Sequence, residues 1–255
     1  MARRPQAHFK GFRMTELHVL APSTAPVALI TGVGPGTGAG LARRFTAGGY
    51  RCALLARDAE RIGALAESLP GALAVPCDVS DERALTVAHA HVVRTLGAPG
   101  VVLSNAVGGA RGDFMSIEPA VLRRNFEVNV MALLQLGRLC APAMIAGGRG
   151  AMVVTGNTSA HRGRALFAGM APTKAAQRIL AESMARTLGP QGVHVAFLTI
   201  DAVIDVPWTR RAFGDKPNEF FTRPDDLAEA CWQLAHQPRS AWTFDMAVRP
   251  FGETW

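Results

Sequence analysis

The sequence predicts an α/β fold: one domain built on a doubly wound, mostly parallel sheet of seven strands with helices on both faces. Three observations predict it. From Pro26 onward, short aliphatic runs alternate with longer helical stretches. Those runs are almost continuously apolar, as strands covered on both faces must be. The first of them passes directly into a glycine-rich turn that opens a helix.

The elements follow in order. Strands are predicted over 27–31, 52–56, 73–76, 101–104, 151–155, 193–199 and 243–248, and helices over 38–47, 58–68, 81–96, 119–145, 172–188 and 224–236. Gly48-Gly49, Gly147-Gly148 and Gly189 fall where helices should stop, and Ser80 and Thr222 are candidate caps. No internal repeat or interdomain linker appears, so residues 26–255 read as one domain. Residues 1–25 read as a flexible basic arm, without a signal-peptide apolar core.

Composition excludes several function classes. At 49% hydrophobic and 18% charged, the chain has the material for a large core and is not a disordered protein. Of the net charge of +7, four charges are Arg3, Arg4, Lys10 and Arg13. No basic stripe interleaved with aromatics follows them, which argues against a nucleic-acid partner. No run of eighteen uncharged apolar residues is present, so no membrane span is expected. Cys52, Cys77, Cys140 and Cys231 are widely spaced, form no C-x-x-C pair and sit largely in apolar runs. They read as buried free thiols in a reducing cytoplasm, and no metal site is expected.

The turn Thr31-Gly32-Val33-Gly34-Pro35-Gly36-Thr37-Gly38 lies between the first strand and the first helix. Strand, turn and helix in that register aim main-chain N–H groups and the positive helix end at a pyrophosphate, and a Cβ at the close-approach positions would block it. Thr31, Gly32, Gly34, Gly36, Thr37 and Gly38 are therefore expected to bind a dinucleotide.

This turn resembles the T-G-x-x-x-G-x-G segment of the short-chain dehydrogenases/reductases, and the resemblance extends from Pro26 to the end of the chain. Cys77-Asp78-Val79 resembles the family's D-V or D-L after the third strand, which implies an adenine contact for Asp78 and Val79. Ser104-Asn105-Ala106 resembles its N-A-G, with Val107 in place of the glycine. Asn129 resembles the active-site asparagine, and Lys174 the lysine of Y-x-x-x-K, which implies a hold on the nicotinamide ribose. The resemblance implies a Rossmann fold, a nicotinamide cofactor and a homodimer or homotetramer. Residues 207–222, with Trp208, Phe213, Phe220 and Phe221, fall where the family places its substrate lid.

Second-strand chemistry favours NADP(H) over NAD(H). The position of the ribose-binding acid is Ala56, so no carboxylate repels a 2′-phosphate, and Arg57 offers a planar charge-assisted contact. The competing reading is that Asp58 turns in to hold the ribose hydroxyls.

The family pattern breaks at the chemistry. Four residues before Lys174 stands Met170 where the family has tyrosine, and Asn157 stands at the serine position. Tyr50, the one tyrosine in the chain, precedes the second strand and reads as packing. A positioned acid or base is worth about 10²- to 10⁴-fold, and an oxyanion donor about 3 kcal/mol. Asn129, Lys174, Asn157 and His161 are the remaining candidates for catalysis; His161 lies in the loop expected to border substrate, and an imidazole can carry a proton. Asp201 and Asp205 read as turn or cap residues. Two functions follow: an oxidoreductase moving hydride to or from a small carbonyl or alcohol with a non-standard proton donor, or a non-catalytic NADP(H)-binding sensor or partner subunit.

Overall fold

The computed structural model describes residues 25–252. Its strands are β1 (Val27–Thr31), β2 (Arg51–Ala56), β3 (Leu73–Pro76), β4 (Val101–Ser104), β5 (Gly150–Asn157), β6 (Val193–Ile200), β7 (Val203–Ile204), β8 (Phe221–Thr222) and β9 (Asp245–Val248). Seven of them form one parallel sheet in the order β3-β2-β1-β4-β5-β6-β9, and β7 pairs with β8 apart from it. Strand order reverses between β1 and β4, and such a switch leaves a crevice at the carboxyl ends of the strands.

The strand residues alternate between two cores. Ile30, Leu54, Leu103, Val153 and Leu198 pack on one face, with α1 (Thr37–Ala47), α2 (Ala59–Glu67) and α8 (Pro224–Ala235). Leu29, Leu55, Val102, Val154 and Phe197 pack on the other, with α3 (Glu82–Leu96), α5 (Ala132–Ala146) and α6 (Ala171–Leu188). Tyr50 belongs to an aromatic cluster with Phe45 and Trp232, the packing role expected of it. All four cysteines are free and buried.

The predicted helix 119–145 is α4 (Pro119–Phe126) and α5 joined by a π-helical segment, Glu127–Met131, which carries Asn129. By length and apolar composition, Pro119–Ala146 is the one helix among the described residues able to cross a bilayer. Its apolar side, including Leu133, Leu136, Cys140 and Met144, is spent in the sheet core.

Two expected caps are corrected. Asp81, not Ser80, caps α3 by accepting from the Ala84 amide at 2.9 Å, because Ser80 is committed to Asp78. Thr222 lies in β8, and the cap of α8 is Arg223. Strands β7 and β8 and the short α7 (Pro207–Ala212) add to the predicted elements, since segments of two to six residues leave no periodicity to read. Residues 1–24 of the expected arm lie outside the described residues.

Candidate functional site

A cleft of about 1190 Å³ opens at the carboxyl ends of the strands, bounded by the glycine turn, the end of β2, residues 105–109 after β4, and the β7–α7 segment. At the turn, Gly32 has φ +67°, and a Cβ there would come within 2.5 Å of the Ala106 Cα. A Cβ on Gly38 would meet the Gly32 carbonyl oxygen at 2.5 Å. Both positions exclude side chains by geometry. Gly34 differs: nothing lies within 4 Å of its would-be Cβ.

α1 begins at this turn with no acidic residue in its first turn, so its positive end is not neutralised there. Thr37 Oγ1, at the first position of α1, is buried without a hydrogen-bond partner among the described residues. A buried orphan hydroxyl at a helix start, beside main-chain amides, suits an anionic ligand. The residues present thus fit a dinucleotide pyrophosphate.

Thr31 and Asn105 hold the cradle in shape. Thr31 Oγ1 accepts from the Asn105 and Ala106 amides at 3.1 and 3.3 Å, and Asn105 Nδ2 donates to the Gly32 carbonyl at 2.9 Å. Thr155 Oγ1 completes the chain, donating to Asn105 Oδ1 at 3.0 Å. Thr31 is buried and does not line the cleft, whereas Asn105 and Ala106 do.

At the far end of β2, Arg57 is exposed and lines the cleft. Asp58 lines the cleft as well, but its carboxylate caps α2 through the Arg61 amide at 3.0 Å and pairs with the Arg61 guanidinium at 2.5 Å. Val79 and Asp78 line the same end. Burial pushes the Asp78 carboxyl up, but hydrogen bonds from the Ser80 hydroxyl and amide and from Arg124 outweigh it and hold it below its ordinary value. Sequence reading missed Arg61 and Arg124, both cleft-lining; nothing in their spacing sets them apart from neighbouring surface arginines.

The expected catalytic residues gather around the start of α6, where Asn129 and Lys174 turn inward and His161 stays exposed. Asn129 is fully buried, with Oδ1 accepting from the Gly108 amide and Nδ2 donating to the Gly108 carbonyl and Thr173 Oγ1. Lys174 Nζ donates to Gln177 Oε1 at 2.8 Å and to the Thr155 carbonyl at 3.2 Å, and the residue is 2% exposed. Burial pushes its pKa down to about 8. It is not among the residues lining the cleft, in contrast to the ribose-facing position the resemblance implied. Gln177 went unremarked, although its i+3 spacing from Lys174 was readable.

Met170 and Asn157 touch each other. Asn157 Nδ2 donates to the Met170 Sδ at 3.4 Å, while its Oδ1 accepts from the Ser159 amide at 3.1 Å. Neither they nor His161 line the cleft. The His161 ring bonds Thr199 Oγ1 at 2.9 Å, and that hydroxyl donates to Asp245 at 3.3 Å. His161 is exposed, and its Nε2 is engaged by β6.

Across the cleft, Asp205 anchors α7 by a two-pronged pair with Arg210, both contacts 2.7 Å, which holds its carboxyl below the ordinary value. Asp201 stands near Arg249 and Arg162 at 3.6 and 3.9 Å. Trp208 and Phe213 line the cleft, while Phe220 packs against Phe213 and Phe221.

Comparison with known proteins agrees with this geometry. A family model described as short chain dehydrogenase matches residues 26–210. The chain is 27% identical over 227 residues to a 7alpha-hydroxysteroid dehydrogenase of Escherichia coli (strain K12), covering 84% of this chain and 88% of that protein. It is 30% identical over 227 residues to a putative ketoacyl reductase of the granaticin polyketide synthase of Streptomyces violaceoruber, covering 81% and 88%. Among solved structures, a metagenomic short-chain oxidoreductase in complex with NADP superposes with a TM-score of 0.77 at 27% identity, over 89% of this chain and 98% of that one. A 3-ketoacyl-(acyl-carrier-protein) reductase from Brucella melitensis complexed with NADH gives 0.78 at 26% identity, over 89% and 97%.

Proposed function

Because the chain belongs to the short-chain dehydrogenase family, we propose that it binds NADP(H) in this cleft and works as an oxidoreductase on a small carbonyl or alcohol, with the proton supplied from outside the tyrosine position. The observation that carries the cofactor reading is the commitment of Asp58 to α2 and Arg61, which leaves Arg57 facing the cleft with no neighbouring free carboxylate to repel a 2′-phosphate. The bound cofactor supplies the hydride.

The chain's own residues do the rest. The amides of Gly36, Thr37 and Gly38 and the Thr37 hydroxyl hold the diphosphate, Asp78 and Val79 border the adenine, and Asn105 and Thr31 keep the cradle rigid. Trp208 and Phe213 offer an apolar wall to the substrate. Met170 has no exchangeable proton, and Asn157 is turned to its sulfur, so water, His161 or a group on the substrate completes proton transfer.

A second reading, a non-catalytic NADP(H) sensor or partner subunit, is favoured by the Met170–Asn157 contact and the inward Lys174. Titration of NADPH against NADH tests the shared premise, and no affinity for either at millimolar concentration overturns both readings. Hydride transfer from NADPH to a panel of aldehydes, ketones and enones separates them: turnover above background supports the enzyme, and none supports the sensor.

The family's habit of self-association extends to this reading as a homodimer or homotetramer. Val121, Met131 and Leu134 on α4–α5 and Ile179 on α6 are exposed apolar side chains suited to such an interface. Light scattering on the full chain measures it.

A further inference from the structure

A second cavity, of about 580 Å³, lies at the opposite end of the sheet, at the amino ends of β1, β4, β5 and β6. It shares no lining residue with the cofactor cleft. Its volume falls in the range of small-molecule sites. Its polar lining consists of Arg149, Arg239, Tyr50, His194, Gln237 and Trp242, and contains no carboxylate.

The arrangement is built by hydrogen bonds rather than by chance exposure. His194 stacks on Trp242 with ring centroids 4.8 Å apart and planes 6° from parallel. His194 Nε2 donates to the Thr243 carbonyl at 2.9 Å, and Trp242 Nε1 to the Gln237 carbonyl at 3.3 Å. Gln237 in turn accepts from the Thr243 amide at 2.7 Å, so the two rings are fixed by one closed set of contacts. Burial holds the His194 imidazole below its ordinary pKa, so it contributes a neutral ring rather than a charge.

The two guanidiniums stand differently. Arg239 is bonded to the Gly148 carbonyl, beyond the end of α5, where a cation answers the negative helix end. The Arg149 amide donates to the Met144 carbonyl at 3.1 Å, while its exposed guanidinium has no hydrogen bond or ion pair among the described residues and acts only electrostatically on Tyr50, whose hydroxyl bonds His236 at 3.0 Å. The C-terminal end of α5 is thus answered by Arg239, and the Arg149 guanidinium remains as surplus positive charge in the cavity that the flat Trp242–His194 pair also lines.

We infer that this cavity binds a small planar aromatic carboxylate, its ring against the Trp242–His194 pair and its carboxylate on Arg149. A guanidinium recognises a carboxylate by paired, charge-assisted hydrogen bonds, which neither a neutral amide nor a lone point charge reproduces.

The test is calorimetric titration of the full chain with 2-naphthoate, its neutral counterpart 2-naphthamide, and inorganic phosphate. The expected result is a naphthoate Kd below ~1 mM, with naphthamide and phosphate each about tenfold weaker. Arg149→Ala should weaken naphthoate about tenfold and leave the NADPH titration within about twofold, since the cavities are separate. Trp242→Leu should weaken naphthoate but not phosphate. Equal affinity for acid and amide, equal affinity for phosphate, an unchanged Arg149→Ala titration, or no heat up to ~10 mM would each overturn the assignment, whatever the cofactor titration shows.

Discussion

Replacing Arg57 by alanine is the sharpest probe of cofactor choice. Arg57 is exposed at the end of β2 and lines the cleft, while its neighbour Asp58 is spent on the α2 cap and on Arg61. A hydrogen bond to a charged group contributes roughly 1.5–3 kcal/mol. Solvent screening at an exposed guanidinium argues for the lower half of that range, and Arg61, already neutralised by Asp58, replaces little of it. NADPH affinity should therefore fall about 10- to 50-fold in Arg57→Ala. NADH, which has no 2′-phosphate, should change by less than about twofold. Cofactor fluorescence at low and high ionic strength measures both, and the NADPH loss should shrink as salt rises. An equal loss for the two cofactors, or a wild-type chain that prefers NADH, would refute the reasoning. Asp58 would then be the ribose ligand, and Asp58→Asn would abolish the NADH preference.

Three further outcomes are expected. Met170→Tyr with Asn157→Ser restores an acid one helical turn before Lys174 and a hydroxyl beside it, and should raise NADPH-dependent carbonyl reduction about 10²- to 10⁴-fold over wild type, less than the product of the separate effects; a variant that binds NADPH normally yet reduces nothing on a broad panel would count against the role assigned to these positions. Lys174→Met tests burial: the difference between an ordinary 10.5 and about 8 is worth about 3 kcal/mol against the folded state when the amine is charged. That cost is fully present below pH 8 and fades as pH rises toward 10.5, because the unfolded chain binds the extra proton in that window. The stability of wild type relative to Lys174→Met, followed by denaturant melts, should accordingly climb between pH 8 and 10.5, and a flat or falling difference would refute it. Gly32→Ala, at φ +67° with its Cβ 2.5 Å from Ala106, should cost at least about 2 kcal/mol of stability, whereas Gly34→Ala, whose Cβ meets nothing within 4 Å, should melt like wild type and lose cofactor affinity if the pyrophosphate lies against it.

Much of the fold was legible because buried parallel strands must be apolar throughout, and the runs 27–31 and 101–104 coincide with the fully buried β1 and β4 to the residue. The glycine turn was legible for a related reason: Gly32 and Gly38 stand where backbone meets backbone, and such contacts admit no side chain. What stayed hidden depends on partners distant in sequence. Nothing local shows that β7 pairs β8 across the α7 segment, or that Asp78 is claimed by Arg124, 46 residues on.

Lys174 shows where motif reading and structure part. Its role was implied by the family resemblance, but a motif places a Cα and not an ammonium. In the structure that ammonium is satisfied by Gln177 and the Thr155 carbonyl, and the tyrosine position beside it holds a thioether that accepts the Asn157 amide. Each of the three side chains thus has an internal partner. An amine that answers a phenol and a ribose must keep donors free for them, so the loss of the phenol and the inward turn of the lysine are one change rather than two. On that argument, Met170→Tyr alone is insufficient unless the new phenol also draws Lys174 away from Gln177. Gln177→Leu added to Met170→Tyr and Asn157→Ser should then raise turnover further, while added to the wild-type chain it should raise none.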